Sequence, residues 1–177
     1  MRHFINYLGL AAVLGVMIAF FGSQSEHFLT WGNFVSVSNQ LPDALLIAIG
    51  MTFVLIIGEI DLSVGAVAAL CGAVLGVAVM EWGVPFFLAV PLTLAVGAAC
   101  GAANGLITVR WRLPSFIVTL GMMEVARGLA YLVTDSSTVY MGRTVDWLMD
   151  VKIYNLSILF FGALFIVVVA QGLLSMT

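Results

Sequence analysis

The sequence predicts an all-α membrane protein, a polytopic bundle of about six spanning helices with a cytoplasmic N-terminus. Of its 177 residues, 63% are apolar and 8% are charged, whereas an ordinary soluble domain is about 45–50% apolar and about 25% charged. Mean hydropathy is +1.18. So few charges cannot cover a water-facing surface, which excludes a cytosolic enzyme and a disordered linker. The net charge of −3 lacks the basic excess of a nucleic-acid binder.

Each predicted span follows from an apolar run of about the length that crosses a bilayer. The first covers residues 4–21; a cleaved signal peptide is the alternative, but no A-x-A site follows this run. The second covers 42–58, with Pro42 in the first helical turn, where its missing N–H costs nothing. The other four cover 62–80, 84–108, 115–133 and 153–174. The third and fourth are separated by only Glu81-Trp82-Gly83, which predicts an antiparallel hairpin.

The orientation follows from the positions of lysine and arginine. Six crossings from a cytoplasmic N-terminus place Arg2, Arg110 and Arg112 inside the cell. The same count places outside the cell Glu26, Asp43, Glu81 and the loop 134–152 with its Arg143 and Lys152. The fourth span is ~37 Å long at 1.5 Å per residue, which exceeds a ~30 Å bilayer core. It must therefore tilt or bend, and Pro91 is the expected place.

Small residues predict close helix packing. Glycine recurs at every fourth position in the fourth span, and the third span repeats the spacing, which clears one face of each helix for a neighbouring backbone. Asn104 lies among these glycines, where its amide either bonds across helices or contacts a ligand. The predicted packing glycines are Gly72, Gly76, Gly97, Gly101 and Gly105.

An acidic, glycine-bounded break separates the second and third spans. It reads Gly58-Glu59-Ile60-Asp61-Leu62-Ser63-Val64-Gly65. Asp61 suits the N-cap of the third helix, accepting from the N–H of Ser63 or Val64. One interpretation is a capped turn at the cytoplasmic face. The other is a pivot or path-lining element, because transporters use discontinuous segments of this kind.

Glu124 and Arg127 lie midway along the fifth span. Charges at bilayer depth almost always face the bundle interior or an aqueous cavity, and residues three apart share a helix face. The two side chains form either a static internal pair or part of a path for a polar solute.

Catalytic motifs are absent from the sequence. It contains no H-E-x-x-H, G-x-S-x-G or Walker-type loop. Cys71 and Cys100 are isolated within apolar runs and suggest neither a metal site nor a disulfide. We therefore expect no enzyme activity, cofactor or metal.

The order of several motifs resembles the ribose-type branch of bacterial ABC importer permeases. The resemblance covers roughly residues 35–135. Glu59 departs from the pattern, since glycine is frequent at that place. The matching blocks are Gly50-Met51-Thr52-Phe53-Val54, the break itself, Gly101-x-x-Asn104-Gly105-Leu106, Leu113-Pro114-Ser115-Phe116-Ile117-Val118-Thr119-Leu120-Gly121, and Ala126-Arg127-Gly128-Leu129-Ala130.

The resemblance implies a multi-pass permease subunit of a monosaccharide importer in the bacterial inner membrane. Its partners would be a second permease copy, a cytoplasmic ABC ATPase and a periplasmic sugar-binding protein. Such permeases are nearly twice this length, so residues 1–177 are expected to form a single transmembrane permease region, the N-terminal half of the whole. We expect this half alone not to transport.

A hydroxyl-rich solute needs polar groups along an otherwise apolar path. The candidates for path or pivot residues are Asn39 and Gln40 at the outer start of the second span, Asp61, Asn104, Phe116 as a flat face for a sugar ring, Thr119, Glu124 and Arg127. Two alternatives stay open. One is a permease for branched-chain amino acids, whose zwitterionic substrate would pair with Glu124 and Arg127; the other is a truncated membrane scaffold that binds partner helices without transporting.

Overall fold

Helices account for nearly all of the regular structure in a computed structural model that describes residues 2–145 and 151–176. The helices in these ranges are α1 (Arg2–Gln24), α2 (Trp31–Ile56), α3 (Val64–Met80), α4 (Phe86–Trp111), α5 (Ser115–Val133) and α6 (Ile158–Met176). A 3-10 turn covers Gly142–Thr144. Two short strands, β1 (Lys152–Ile153) and β2 (Leu156–Ser157), pair antiparallel just before α6.

The apolar helices confirm an all-α membrane bundle. Four helices, α2, α4, α5 and α6, are long and apolar enough to cross a membrane. Two shorter apolar helices, Leu8–Gln24 and α3, fall below that length in the described part of the chain. The six crossings and the cytoplasmic N-terminus stay predictions.

The described helices pack in two groups. In the first, which we call the three-helix unit, α3 packs against both α4 and α5. Its core is formed by Leu70 and Val74 of α3 with Ala126 of α5. In the second, the two-helix unit, α2 packs along α6, and the hairpin β1–β2 lies against α2. The most extensive helix contacts are within these units rather than between them.

Helix α2 begins well before the predicted start of the second span. The prediction that Pro42 occupies the first turn is wrong, because α2 starts at Trp31 and holds Pro42 in its interior, buried beside Ser38. Asp43 is an exposed residue of α2, and its placement on the outer side stays a prediction. The polar run Ser38-Asn39-Gln40 resembles a boundary in the sequence, but its amides are bonded within the fold, as described below.

The other predicted span boundaries agree with the observed helix ends to different extents. The structure bounds α5 at Ser115 and Val133, the predicted residues, and α3 joins α4 through the short connection 81–85. Pro91 lies inside α4. The last helix begins at Ile158 rather than at residue 153, because the hairpin occupies the intervening residues.

Candidate functional site

The break between α2 and α3 begins with a tightly capped helix end. Gly58 has φ +79°, a left-handed conformation that glycine adopts without strain. Its N–H donates to the Leu55 carbonyl at 3.0 Å, and the Glu59 N–H donates to the Val54 carbonyl at 3.1 Å. These two bonds form a Schellman motif, which satisfies carbonyls left open at the C-terminus of α2.

The next residues of the break are bonded to α5. The Ile60 N–H donates to Ser115 Oγ at 3.1 Å, and the Leu62 N–H donates to Thr119 Oγ1 at 3.0 Å. Thr119 is buried, and its hydroxyl lies 3.4 Å from both the Ile60 and the Phe116 carbonyls. The predicted site residue Thr119 therefore holds backbone that has no helical partner of its own.

Asp61, Ser63 and Asn104 form a polar chain from the break to α4, in which Ser63 and Asn104 are buried and Asp61 is partly buried. Asp61 Oδ1 accepts from the Ser63 N–H at 2.7 Å and from the Ser63 hydroxyl at 2.6 Å. Asn104 Nδ2 then donates to Ser63 Oγ at 3.0 Å. The predicted bond from the Ser63 N–H to Asp61 is confirmed, but the predicted N-cap is wrong. Ser63 is the N-cap, and Asp61 instead forms a turn with the residue two positions on.

A cavity of about 200 Å³ lies beside this chain, lined by Asp61, Ser63, Asn104, Gly97 and Gly101 among others. Asn104 is 7% exposed. Its Oδ1 has no hydrogen-bond partner among the described residues. A buried carbonyl in this state costs about 1–3 kcal/mol, so the Asn104 amide is held at one end only.

A larger groove runs between α3 and α5. Its volume is about 560 Å³, within the range of about 300–1,000 Å³ typical of ligand sites. The lining residues run from Leu62 to Ala73 on one side and from Met123 to Thr134 on the other. An α-helix rises about 16 Å over the interval from Met123 to Thr134, so the groove extends across about half of a ~30 Å bilayer core. Small residues of α3 form its floor: Gly65, Ala66, Ala69 and Ala73.

One member of the α5 ion pair, Arg127, lies at this groove. Arg127 lines it together with Met123, Ala130 and Tyr131. Arg127 Nη1 contacts Glu124 Oε1 at 3.0 Å, and both side chains are more than half exposed in this chain. The pair is thus confirmed as a pair, but it lies on the open side of α5 rather than inside the three-helix unit.

The other candidate residues lie apart from the groove. The prediction that Asn39 and Gln40 mark the outer start of a span is wrong, because both lie inside α2. Asn39 Oδ1 accepts from the Ser157 N–H at 2.8 Å and its Nδ2 donates to the Asn155 carbonyl at 3.2 Å, which holds the hairpin. Gln40 donates to Ser36 within its own helix. Phe116 is half-exposed near the start of α5.

The packing glycines differ in their surroundings. A Cβ at Gly97 would lie 3.2 Å from Cys71 Sγ, and one at Gly76 would lie 3.2 Å from Val139 Cγ1. These two glycines therefore permit close approach. At Gly72, Gly101 and Gly105 the added carbon has no heavy atom of the described residues within 4 Å, apart from chain neighbours and the backbone of the same helix. A packing role for these three stays a prediction.

Sequence reasoning missed three contributors. The hydroxyl of Ser63 joins Asp61 to Asn104, and the pattern Asp-x-Ser is a recognisable signal for a local side-chain turn. Ser115 follows a proline at a helix start and bonds the break. Asp43 lies within a helix that is apolar enough to cross a membrane, where a carboxylate is costly and most often functional; misplacing the start of α2 hid it.

Comparison with known proteins identifies the family to which the sequence is similar. Residues 33–177 match the family described as branched-chain amino acid transport system / permease component. The chain is 37% identical over 138 residues to the D-allose transport system permease protein of Escherichia coli (strain K12), covering 77% of this chain and 42% of that protein. It is 34% identical over 127 residues to the ribose import permease protein of Haemophilus influenzae, covering 72% of this chain and 39% of that protein.

A third relative is the xylose transport system permease protein of Escherichia coli (strain K12), 35% identical over 133 residues, with coverage of 75% of this chain and 34% of that protein. The chain thus spans about two fifths or less of the length of these curated relatives. No solved structure matches the chain.

Proposed function

The chain belongs to the family of branched-chain amino acid transport system / permease components, and from that membership we propose that it forms the membrane-spanning part of an ATP-driven importer of a monosaccharide. The three relatives described above are named for allose, ribose and xylose. Sequence identity of 34–37% to these proteins supports a simple sugar as the solute more strongly than a branched-chain amino acid.

The observation that carries the proposal is the groove between α3 and α5 with Arg127 at its side. It is long enough to reach across about half of a bilayer core, and a guanidinium at that depth is costly unless it meets water, a partner or a polar solute. Arg127 Nη1 already contacts Glu124, and a guanidinium carries five N–H donors. The remaining donors can bind hydroxyl oxygens of a solute that passes along the groove.

The apolar part of the groove suits the same class of solute. Its floor of alanine and glycine leaves room for the C–H face of a sugar ring. Because the guanidinium is already paired with a carboxylate, the site is close to neutral. A neutral polyol can accept from Arg127 and donate to Glu124 without separating them, whereas an anion or a cation is opposed by one of the two charges.

The proposed arrangement has six membrane crossings and a cytoplasmic N-terminus. The break then lies at the cytoplasmic side of the bacterial inner membrane, where Asp61, Asn104 and Thr119 hold the entrance to α3. Phe116 lies near that end of α5. The proposed partners are a second permease copy, a cytoplasmic ABC ATPase that supplies energy, and a periplasmic sugar-binding protein. The chain itself performs no chemistry; access alternates by movement of helices against one another.

The second candidate is a branched-chain amino acid permease. The Glu124–Arg127 pair favours it, since the ammonium and carboxylate of an amino acid would each find an opposite charge. That substrate would need both charges, so the two candidates differ in their response to neutralising the pair.

Uptake by a chimera tests the proposal. The N-terminal portion of the D-allose permease is replaced by residues 1–177 of this chain, in cells that lack the native permease gene and retain its ATPase and binding protein. The cells are supplied with labelled allose, ribose, xylose and leucine. Energy-dependent sugar uptake is expected. A chimera present in the membrane that imports leucine and no sugar would overturn the proposal. Cells with the unmodified allose permease serve as the positive control, and cells without any permease serve as the negative control.

A further inference from the structure

The break contains a sharp change in what holds the backbone. The N–H groups of Gly58 and Glu59 are bonded to carbonyls of α2. The very next N–H, that of Ile60, is bonded to Ser115 at the start of α5. Between Glu59 and Ile60 the chain therefore passes from one set of anchors to another within a single peptide.

The two sets of anchors belong to the two packing units. Residues up to Glu59 continue the two-helix unit, because the Schellman motif closes α2. Residues from Ile60 onward belong to the three-helix unit. Two of their N–H groups bond to α5, and Ser63 bonds to Asn104 of α4. Leu62, which lines the groove, is on this second side.

The loop after α5 keeps the same division. Val139 lies against Gly76 of α3, and Thr144 contacts Met80 at the end of α3, so this part follows the three-helix unit. The hairpin is bonded to Asn39 of α2 and follows the two-helix unit. The segment that connects these two parts of the loop includes residues 146–150, which lie outside the described ranges. We therefore argue from the break alone.

We propose that the Glu59–Ile60 peptide is a joint about which the two-helix unit turns against the three-helix unit. Rotation about Glu59 ψ breaks none of the anchoring bonds described above, because Glu59 N, which is bonded to α2, lies before the rotating bond and Ile60 N, which is bonded to α5, lies after it. Packed units move as rigid bodies while a few residues between them absorb the change in backbone angles.

The joint explains why the break carries so many polar contacts on one side. Ser115, Thr119 and the Asp61–Ser63–Asn104 chain keep the first residues of α3 fixed to α4 and α5, so a turn at the joint leaves the Leu62 end of the groove intact. Helices α2 and α6 then move relative to that end. The proposed joint does not depend on which solute the protein carries. The joint can therefore be disproved while the proposed function stands, and the proposed function can be disproved while the joint stands.

Distances between spin labels test the joint in the full 177-residue chain reconstituted in lipid nanodiscs. Cys71 and Cys100 are first replaced by alanine. Labels at the exposed positions Leu132 of α5 and Phe165 of α6 report on the two units relative to each other, and labels at Val109 of α4 and Leu132 report within one unit. The variants Glu59→Ala, Glu59→Gly and Glu59→Ile all remove the carboxylate and keep the N–H; they differ in backbone freedom and in side-chain size.

Relative to Glu59→Ala, the distribution between units is expected to broaden in Glu59→Gly and to narrow in Glu59→Ile, with the distribution within the unit unchanged. Equal widths between units in all three variants would overturn the joint. So would broadening of the within-unit distances to the same extent, because that result indicates general loosening of the bundle. Near-native within-unit distances in Glu59→Ala show that the chain is folded.

Discussion

Ser63 of the break and Asn104 of α4 are joined by a 3.0 Å hydrogen bond between residues that are 1% and 7% exposed. The same serine hydroxyl donates to Asp61. Buried polar groups depend strongly on their partners, and this one hydroxyl links the carboxylate of Asp61 to the amide of Asn104.

Replacing Ser63 by alanine is expected to destabilise the fold. Asn104 then loses its only described side-chain contact, and a buried amide without partners costs about 1–3 kcal/mol. Thermal unfolding in detergent, followed by circular dichroism, measures the loss. Ser175→Ala is the matched control, because the Ser175 hydroxyl is exposed and bonds only to Gly172 in its own helix. Equal unfolding midpoints for the two variants would contradict a structural role for Ser63.

Thr119→Val is expected to free the start of α3. Valine has nearly the shape of threonine but cannot accept from the Leu62 N–H, which leaves that group unpaired at a cost of about 1–3 kcal/mol. Hydrogen exchange at Leu62 should accelerate in Thr119→Val and stay slow in Thr119→Ser. Thr52→Val serves as control, since Thr52 donates only to Ala48 within α2. Unchanged exchange at Leu62 would show that the 3.0 Å contact does not protect it.

Local patterns predicted those parts of the fold that depend on neighbours along the chain. Apolar runs located α3, α4 and α5 closely, and the predicted bounds of the fifth span, 115–133, match those of α5 to the residue. The acidic break was identified from its glycines and carboxylates. The side-chain bond from Asp61 to Ser63 was foreseen because it joins residues two apart.

Contacts between segments that are distant in the sequence could not be predicted from local patterns. The polar residues Asn39 and Gln40 indicate a boundary only if nothing covers them, and the hairpin that binds Asn39 lies more than a hundred residues on. The same holds for Ser115 and Thr119, whose partners are backbone groups of the break. Glu124 and Arg127 were recognised as a pair from their spacing, but their exposure depends on how α3 and α5 pack.

Asn39→Ala is expected to release the hairpin. Both ends of the Asn39 amide bond to residues 155 and 157, and alanine removes the two contacts together. Hydrogen exchange at Ser157 should rise while exchange in α3 and α5 stays unchanged. The neighbouring Gln40→Ala is the control, because Gln40 bonds only within α2. Similar protection of Ser157 in both variants would mean that strand pairing alone holds the hairpin.

Leucine is expected to destabilise the fold at Gly97, where two helices approach closely, and to have little effect at Gly101. A Cβ at Gly97 would lie 3.2 Å from Cys71 Sγ, and overpacking of this kind costs about 1–3 kcal/mol. Gly101 has open space beside it within the described chain. The unfolding midpoint should fall for Gly97→Leu and change little for Gly101→Leu. If both variants unfold alike, α3 and α4 do not approach at Gly97 as described.

Neutralising Glu124 and Arg127 together is expected to be milder than neutralising either alone. A single Glu124→Gln or Arg127→Gln leaves one charge unpaired at membrane depth, where insertion scales assign about 2.5–3.5 kcal/mol to a charged residue. The double variant removes both charges and keeps amide donors and acceptors in their place. Its membrane level, measured by quantitative immunoblotting of the allose-permease chimera, should exceed that of both single variants.

The same double variant distinguishes the two candidate solutes. A neutral sugar binds amides and ion pairs by the same donors and acceptors, so sugar uptake per inserted molecule should persist in the double variant. A zwitterion depends on the charges themselves, and its uptake should disappear. Loss of sugar uptake in the double variant, at an unchanged membrane level, would show that transport of the sugar requires the charges themselves.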